Sequence, residues 1–207
     1  MEDVLDLYAE PPDPAHPVVC VDERPYQLVG EVTSPQPCAP GQPARQDYEY
    51  ERKGTANLFL GYCPHPGWRH VEMTERRTAV DFAHFVRTLV DEHFPEAEKI
   101  RLVVDNLNTH TPASFYKAFS PEEARRLASK VEWHYTPEHG SWLNQVEIEI
   151  SILSRQCLER RIPDAGTLAR EVAAWERERN LRQAVIDWRF TAKDARIKLR
   201  RLYPNHS

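Results

Sequence analysis

Three acidic residues stand where chemistry could be done. Asp22 lies at the end of the apolar run PVVCVDE (Pro17–Glu23), Asp105 directly follows KIRLVV (Lys99–Val104), and Glu147 falls early in WLNQVEIEISILSRQCL (142–158), downstream of VEWHYT (Val131–Thr136). Three carboxylates in one small space repel each other and persist as anions only with cations between them. Hard oxygen ligands with open positions suit Mg²⁺, which binds through a few carboxylates together with substrate phosphate and water. Two such ions activate the attacking oxygen and steady the leaving one in an in-line phosphoryl transfer. Taken singly, each acid has an ordinary role. Asp22 would start a turn before Arg24-Pro25, Asp105-Asn106 would bond its own loop backbone, and Glu147 would face solvent from a helix. Two apolar strands that both lead into Asp are what raise the set above these readings.

The elements that must position these acids follow from pattern. Residues 1–16 read as a loose acidic lead-in. Pro17–Glu23 is a buried strand by its β-branched content. The Pro-rich stretch 31–46 has no periodicity and reads as a long loop. Tyr48–Lys53 and Thr55–Tyr62 read as two strands meeting at Gly54, and Arg69–Thr74 as a third. Thr78 caps a helix with Phe82, Phe85, Val86, Leu89 and Val90 at helical spacing, ended by Pro95. Lys99–Val104 is the next buried strand. Thr111-Pro112 and Ser120-Pro121-Glu122-Glu123 each open a helix, the second with the look of a capping box. Val131–Thr136 is a further strand, and 142–158 a helix. Two more helices close the chain, one after Asp164 with Leu168, Val172 and Trp175 in a stripe, the other capped by Thr191 with Ile197, Leu199 and Leu202 apolar. Strands in a row followed by alternation predict an α/β domain with a mixed sheet flanked by helices, of RNase-H-like order. A doubly wound nucleotide-binding fold would need a glycine-rich turn after the first strand, and none is present.

If the first and fourth strands are neighbours, their ends bring Asp22 and Asp105 together, and a helix across the sheet can carry the last acid to them. Periodicity does not choose that acid. Leu143, Val146, Ile150 and Leu153 form one arc, with Glu147 on one margin and Glu149 on the other. His110, in DNLNTH, falls near Asp105 at the rim. Cys63-x-His65 with His70 falls short of the four spaced ligands of a strong zinc site. Neither Ser141 nor Ser151 sits in a nucleophile elbow.

Bulk properties set the frame. The chain has 207 residues, 41% hydrophobic and 29% charged, enough for one packed α/β domain with a helical appendage. No apolar run reaches membrane-spanning length, and the acidic, Pro-rich start is unlike a signal peptide. Cys20, Cys38, Cys63 and Cys157 are widely spaced, which predicts free thiols and a cytoplasmic setting. Net charge is -5, but residues 151–207 hold 13 Lys+Arg against 7 Asp+Glu, a balance of +6 that leaves -11 on the first 150. A basic end can meet phosphates, although charge alone fits solvated helix faces equally well.

The combination of DNLNTH (Asp105–His110) with YTPEHGSWLNQVE (Tyr135–Glu147) resembles the DDE transposases of bacterial insertion sequences, in particular the insertion sequence 630 family of the mariner superfamily. VCVDE (Val19–Glu23) and the tail IDWRFTAKDARIKLRRLYP (Ile186–Pro204) resemble the corresponding segments, so the likeness runs from about Val18 to Pro204. It implies an RNase-H-like catalytic domain over 17–160 with a C-terminal helical extension, 161–207, packed on it. It also implies catalytic, metal-binding Asp22, Asp105 and Glu147, with the Leu143-Asn144 alignment selecting Glu147 over Glu149. Asn106 and Asn144 would support them from behind. The implied cofactor is Mg²⁺, with Mn²⁺ as substitute. The implied reaction is cleavage at transposon ends followed by attack of the freed 3′-OH on target DNA. The partners would be both DNAs and further copies of the chain, as a homodimer or larger assembly at the bacterial nucleoid. Family members begin with helix-turn-helix modules that this sequence lacks, so a separate polypeptide would recognise the ends, or the chain would be a truncated, non-catalytic remnant or regulatory partner. The interval from Asp105 to Glu147 is a few residues longer than the resemblance leads one to expect, with SPEEARR as the insertion. A resolvase-like nuclease, the third possibility, does not account for LNQVE or the tail.

Overall fold

The computed structural model describes residues 1–34, 36–43 and 47–203. Its centre is a five-stranded mixed sheet of β1 (Val18–Glu31), β2 (Tyr50–Cys63), β3 (Trp68–Thr74), β4 (Ile100–Val104) and β5 (Val131–Tyr135). The spatial order is β3-β2-β1-β4-β5. The first three strands form an antiparallel meander, and β4 and β5 add in parallel beside β1. This is the RNase-H-like order expected from the run of strands followed by alternation. Parallel pairing requires crossovers, which helices supply: α2 (Ala79–Thr88) before β4, and α3 (Ala113–Ala118) and α4 (Pro121–Lys130) before β5. The chain then continues through α5 (Val146–Leu153), α6 (Ala165–Leu181) and α7 (Ala192–Lys198).

The period-2 alternation of β1 divides the core into two layers. Val19 and Val21 face α2, α3 and α4, in a cluster with Phe82, Phe85, Phe115 and Leu127. Val18, Cys20, Tyr26 and Leu28 face the other way, against Val146 and Leu153 of α5 and Leu168, Val172 and Trp175 of α6. Strand β4 obeys the same rule. Ile100, Leu102 and Val104 join the first layer and Val103 the second. The helix starts read from sequence are built as expected. Thr78 and Asp81 form a reciprocal capping box, as do Thr191 and Asp194, and Asp164 accepts from the Thr167 amide. Two starts differ: Ser120 caps α4 by accepting from the Glu123 amide without the return bond of a capping box, and α3 starts at Ala113, with Pro112 before it rather than at the first helical position.

Several expectations need correction. Residues 2–9 are not loose: they form helix α1 (Glu2–Ala9), which buries Val4, Leu5 and Leu7. Acidic residues on its open side hid a short apolar face. The first strand runs on to Glu31, and β2 is one strand through Gly54, whose φ of +105° a glycine adopts at low cost. Pairing with β1 on both sides of Gly54 is what keeps β2 continuous. The helix foreseen over 142–158 is interrupted. A 3₁₀ turn (Ser141–Leu143) precedes α5, and a π-helical turn (Ser154–Leu158) follows it. Of the loop foreseen over 31–46, Pro35 and residues 44–46 lie outside the described residues, as do the Leu202 side chain and Pro204 at the chain's end. All four cysteines are free, with only Cys38 exposed. Among the described residues no helix is long and apolar enough to cross a membrane.

Candidate active site

Strand β1 pairs with β4 through Val18–Arg101, Val19–Leu102 and Cys20–Val103. The pairing stops there, two residues short of Asp22 and of Asp105, so both acids lie just past the shared ladder. Adjacent strands lie about 4.8 Å apart. Alternation turns Asp22 to the face of Cys20, toward the α5 layer, whereas the Asp105 carboxylate is drawn to His110, which packs on Phe82 of the other layer. The proximity has an electrostatic signature. Burial pushes the Asp22 carboxyl up to about 7, and the neighbouring charges of Glu23 and Asp105 push in the same direction. Asp22 Oδ1 accepts from the Glu23 amide at 2.8 Å, which fixes the carboxyl orientation.

Glu147 reaches the same region because α5 is tied to β1. Asn144 is fully buried, and its Nδ2 donates to Val21 O at 3.0 Å, one residue from Asp22. The Glu147 amide in turn donates to Asn144 O at 3.0 Å. Helix α1 holds this junction from outside: Tyr8 Oη donates to Leu143 O at 3.0 Å and accepts from the Gln145 amide at 3.4 Å. Asp22 and Glu147 line one open groove of roughly 620 Å³. Asp105 is not in its lining and sits beside Asp22 at the end of the sheet.

Packing separates the environments of the two glutamates. Glu149 is fully buried on the opposite side of α5, clasped by Arg179 Nη2 at 2.7 Å and Arg179 Nε at 3.1 Å. The fully buried Arg69 places its Nε 3.2 Å from Glu149 Oε2, an ion pair without hydrogen-bond alignment. Glu149 is therefore committed to a structural charge cluster, whereas half-buried Glu147 faces the groove.

His110 is not a rim residue. It is buried against Phe82, with ring centroids 4.5 Å apart. Its Nδ1 lies 2.6 Å from Asp105 Oδ1, and its Nε2 lies 3.0 Å from Glu23 Oε2. Burial opposes a charge on the ring, but the two carboxylates prevail and raise it to about 9. Burial likewise opposes the charge on Asp105, and the His110 contact outweighs it and holds that carboxyl below its usual range. Sequence reasoning missed Glu23 in this role. Its signal was its place next to Asp22, which by alternation sends it to the opposite face. Asn106 donates from Nδ2 to Thr136 O at 2.6 Å and so joins the loop after β4 to the end of β5.

The donor set suits a hard divalent cation. Asp22 is a carboxyl whose charge is opposed by burial and by like neighbours, a situation that a bound cation reverses. Among the described residues no three His, Cys, Asp or Glu side chains are gathered closely enough to hold a metal ion, so Asp22, Asp105 and Glu147 are not brought together into one such group. The Cys63, His65 and His70 combination is likewise not gathered into a metal site.

A mixed sheet of this order, with acids on and just beyond its central strands, defines the class of RNase-H-like domains. The chain belongs to the DDE superfamily endonuclease family, whose profile matches residues 17–169. Three solved structures are similar in fold. The Mos1 mariner paired end complex with Mn is 17% identical, with a TM-score of 0.54 over 87% of this chain and 54% of that one. The Mos1 strand transfer complex is 17% identical, with a TM-score of 0.55 over 87% and 53%. The mariner Mos1 paired end complex with Mg is 17% identical, with a TM-score of 0.51 over 84% and 51%. The chain thus spans about half the length of these proteins. No curated protein matches it.

Proposed function

We propose that this chain is the catalytic domain of a transposase, in which Asp22, Asp105 and Glu147 hold divalent metal ions against a DNA phosphodiester. The observation that best supports this reading is the parallel pairing of β1 and β4, which ends two residues before Asp22 and before Asp105, with the Asp105 charge helping to raise the Asp22 carboxyl. The Asn144–Val21 hydrogen bond supports Glu147 as the third acid by anchoring its helix beside Asp22. Similarity in fold to Mos1 complexes obtained with Mn and with Mg supports Mg²⁺ as the cofactor and Mn²⁺ as substitute. When bound, the metal would supply charge neutralisation at the phosphate and an activated attacking oxygen. The chain's own residues do the positioning. Glu23 and His110 lock the Asp105 carboxylate, Asn106 fixes its loop, and Asn144 fixes the helix that presents Glu147.

The reading extends to the segments 17–160 as catalytic domain and 161–207 as its helical extension. It extends also to an origin in the bacterial insertion sequence 630 family, on the motifs DNLNTH and LNQVE. Partners would be transposon-end and target DNA and further copies of the chain, acting at the nucleoid, with a helix-turn-helix polypeptide for end recognition. The deciding experiment is nicking of duplex DNA in Mg²⁺ or Mn²⁺ by wild type and Asp105→Asn, with circular dichroism to verify folding. Nicking by wild type alone is expected, since the substitution removes a ligand while relieving like-charge repulsion. Equal nicking by both would sink the metal–carboxylate assignment. DNA binding without nicking by wild type would leave the chain as a non-catalytic regulatory partner.

A further inference from the structure

We infer that Arg24 and Arg155 form a phosphate-binding pair at the far end of the acid-lined groove, gripping a DNA-strand phosphate adjacent to the one presented to the acids. The identity of the strand rests on the transposase reading. The pair itself rests on geometry. Asp22 and Arg24 are two residues apart on β1, so they project from one face of the sheet. Glu147, Ser151 and Arg155 recur every four residues, which stacks them along one side of α5 and its π-helical extension. All five line the same groove. Two rows therefore run from acid to cation, about 6.6 Å along the strand and about 12 Å along the helix. A polynucleotide laid along them meets carboxylates first and guanidiniums next.

The two arginines differ from others nearby. Arg160 pairs with Glu171, Arg161 with Glu31 and Arg179 with Glu149. Neither Arg24 nor Arg155 has an ion-pair partner among the described residues, although Glu159 also lines the groove. A guanidinium carries a planar fork of donors that matches phosphate oxygens, and one without a protein partner is free to use it. The groove is open to solvent along both rows, so a strand can lie in it.

Fluorescence anisotropy with duplex DNA in EDTA, over a series of salt concentrations, tests the pair. Removing one cation from a phosphate lowers the slope of log affinity against log salt by about 0.9. R24A and R155A should each show that decrease and the double variant about twice it, while R24K and R155K keep the wild-type slope. R170A, on α6 outside the groove, should leave the slope unchanged. Unchanged slopes in R24A and R155A would overturn the pair, as would an equal decrease in R170A or an absence of DNA binding by wild type. Should R24A shift the unfolding midpoint, R155A, at an exposed helix position, carries the same test. The outcomes separate from the catalytic reading. Nicking abolished in D105N with arginine slopes unchanged removes the pair alone, and nicking retained in D105N with slopes reduced removes the metal–carboxylate assignment alone.

Discussion

The side-chain amide of Asn144 donates to the backbone carbonyl of Val21 at 3.0 Å, joining the entry of helix α5 to strand β1 one residue before Asp22. One buried hydrogen bond thereby sets the distance between two acids that lie 125 positions apart in the chain.

Asn144→Ala should accordingly do two things. It leaves the Val21 carbonyl buried without a donor, a loss of about 1–3 kcal/mol in urea unfolding. It should also lower metal-dependent nicking under conditions where the variant is fully folded, because the start of α5 is freed from β1. Full nicking activity in a destabilised Asn144→Ala would confine Asn144 to a structural role.

The two glutamates of α5 should separate cleanly. Glu149→Gln leaves Arg69 and Arg179 with buried, uncompensated charge and should destabilise the fold by about 3–5 kcal/mol. Glu147→Gln, on the groove side, should change stability by no more than about 0.5 kcal/mol and abolish nicking. Paired urea titrations and nicking assays decide this, and a reversed pattern would make Glu149 the catalytic acid.

His110 should hold its proton unusually late in the metal-free protein. Burial works against the charge, but Asp105 and Glu23 on either side raise the ring to about 9 from an ordinary value near 6.5. A value raised by folding stabilises the native state fully below the unfolded value, and the contribution is lost as pH rises through the folded one. In EDTA, stability from this group should thus be complete below pH 6.5 and fade as pH climbs through about 9. Imidazole NMR shifts followed from pH 6 to 10 read the titration directly. A midpoint at or below 6.5 would show that the carboxylate bridge does not form in solution.

Much of this protein was legible in the residues themselves. Apolar runs rich in β-branched residues marked β1 and β4, and cap residues marked α2, α6 and α7, because strand burial and helix capping are local interactions. The placement of Asp105 directly after a strand was equally local, whereas Asp22, expected to end its strand, lies inside β1. Helix α1 and the continuity of β2 were not legible, since each depends on what the segment packs or pairs with rather than on its own pattern. The choice between Glu147 and Glu149 belonged to tertiary structure for the same reason. The helix carries both acids on the margins of one apolar arc, and Arg69 from β3 and Arg179 from α6 claim one of them. So did the part played by His110, whose ring meets Glu23 from 87 residues away. Sequence determined which groups could do chemistry and roughly which elements carry them. Only the fold decided which face each element turns, because that phase is set by long-range packing and ion pairing.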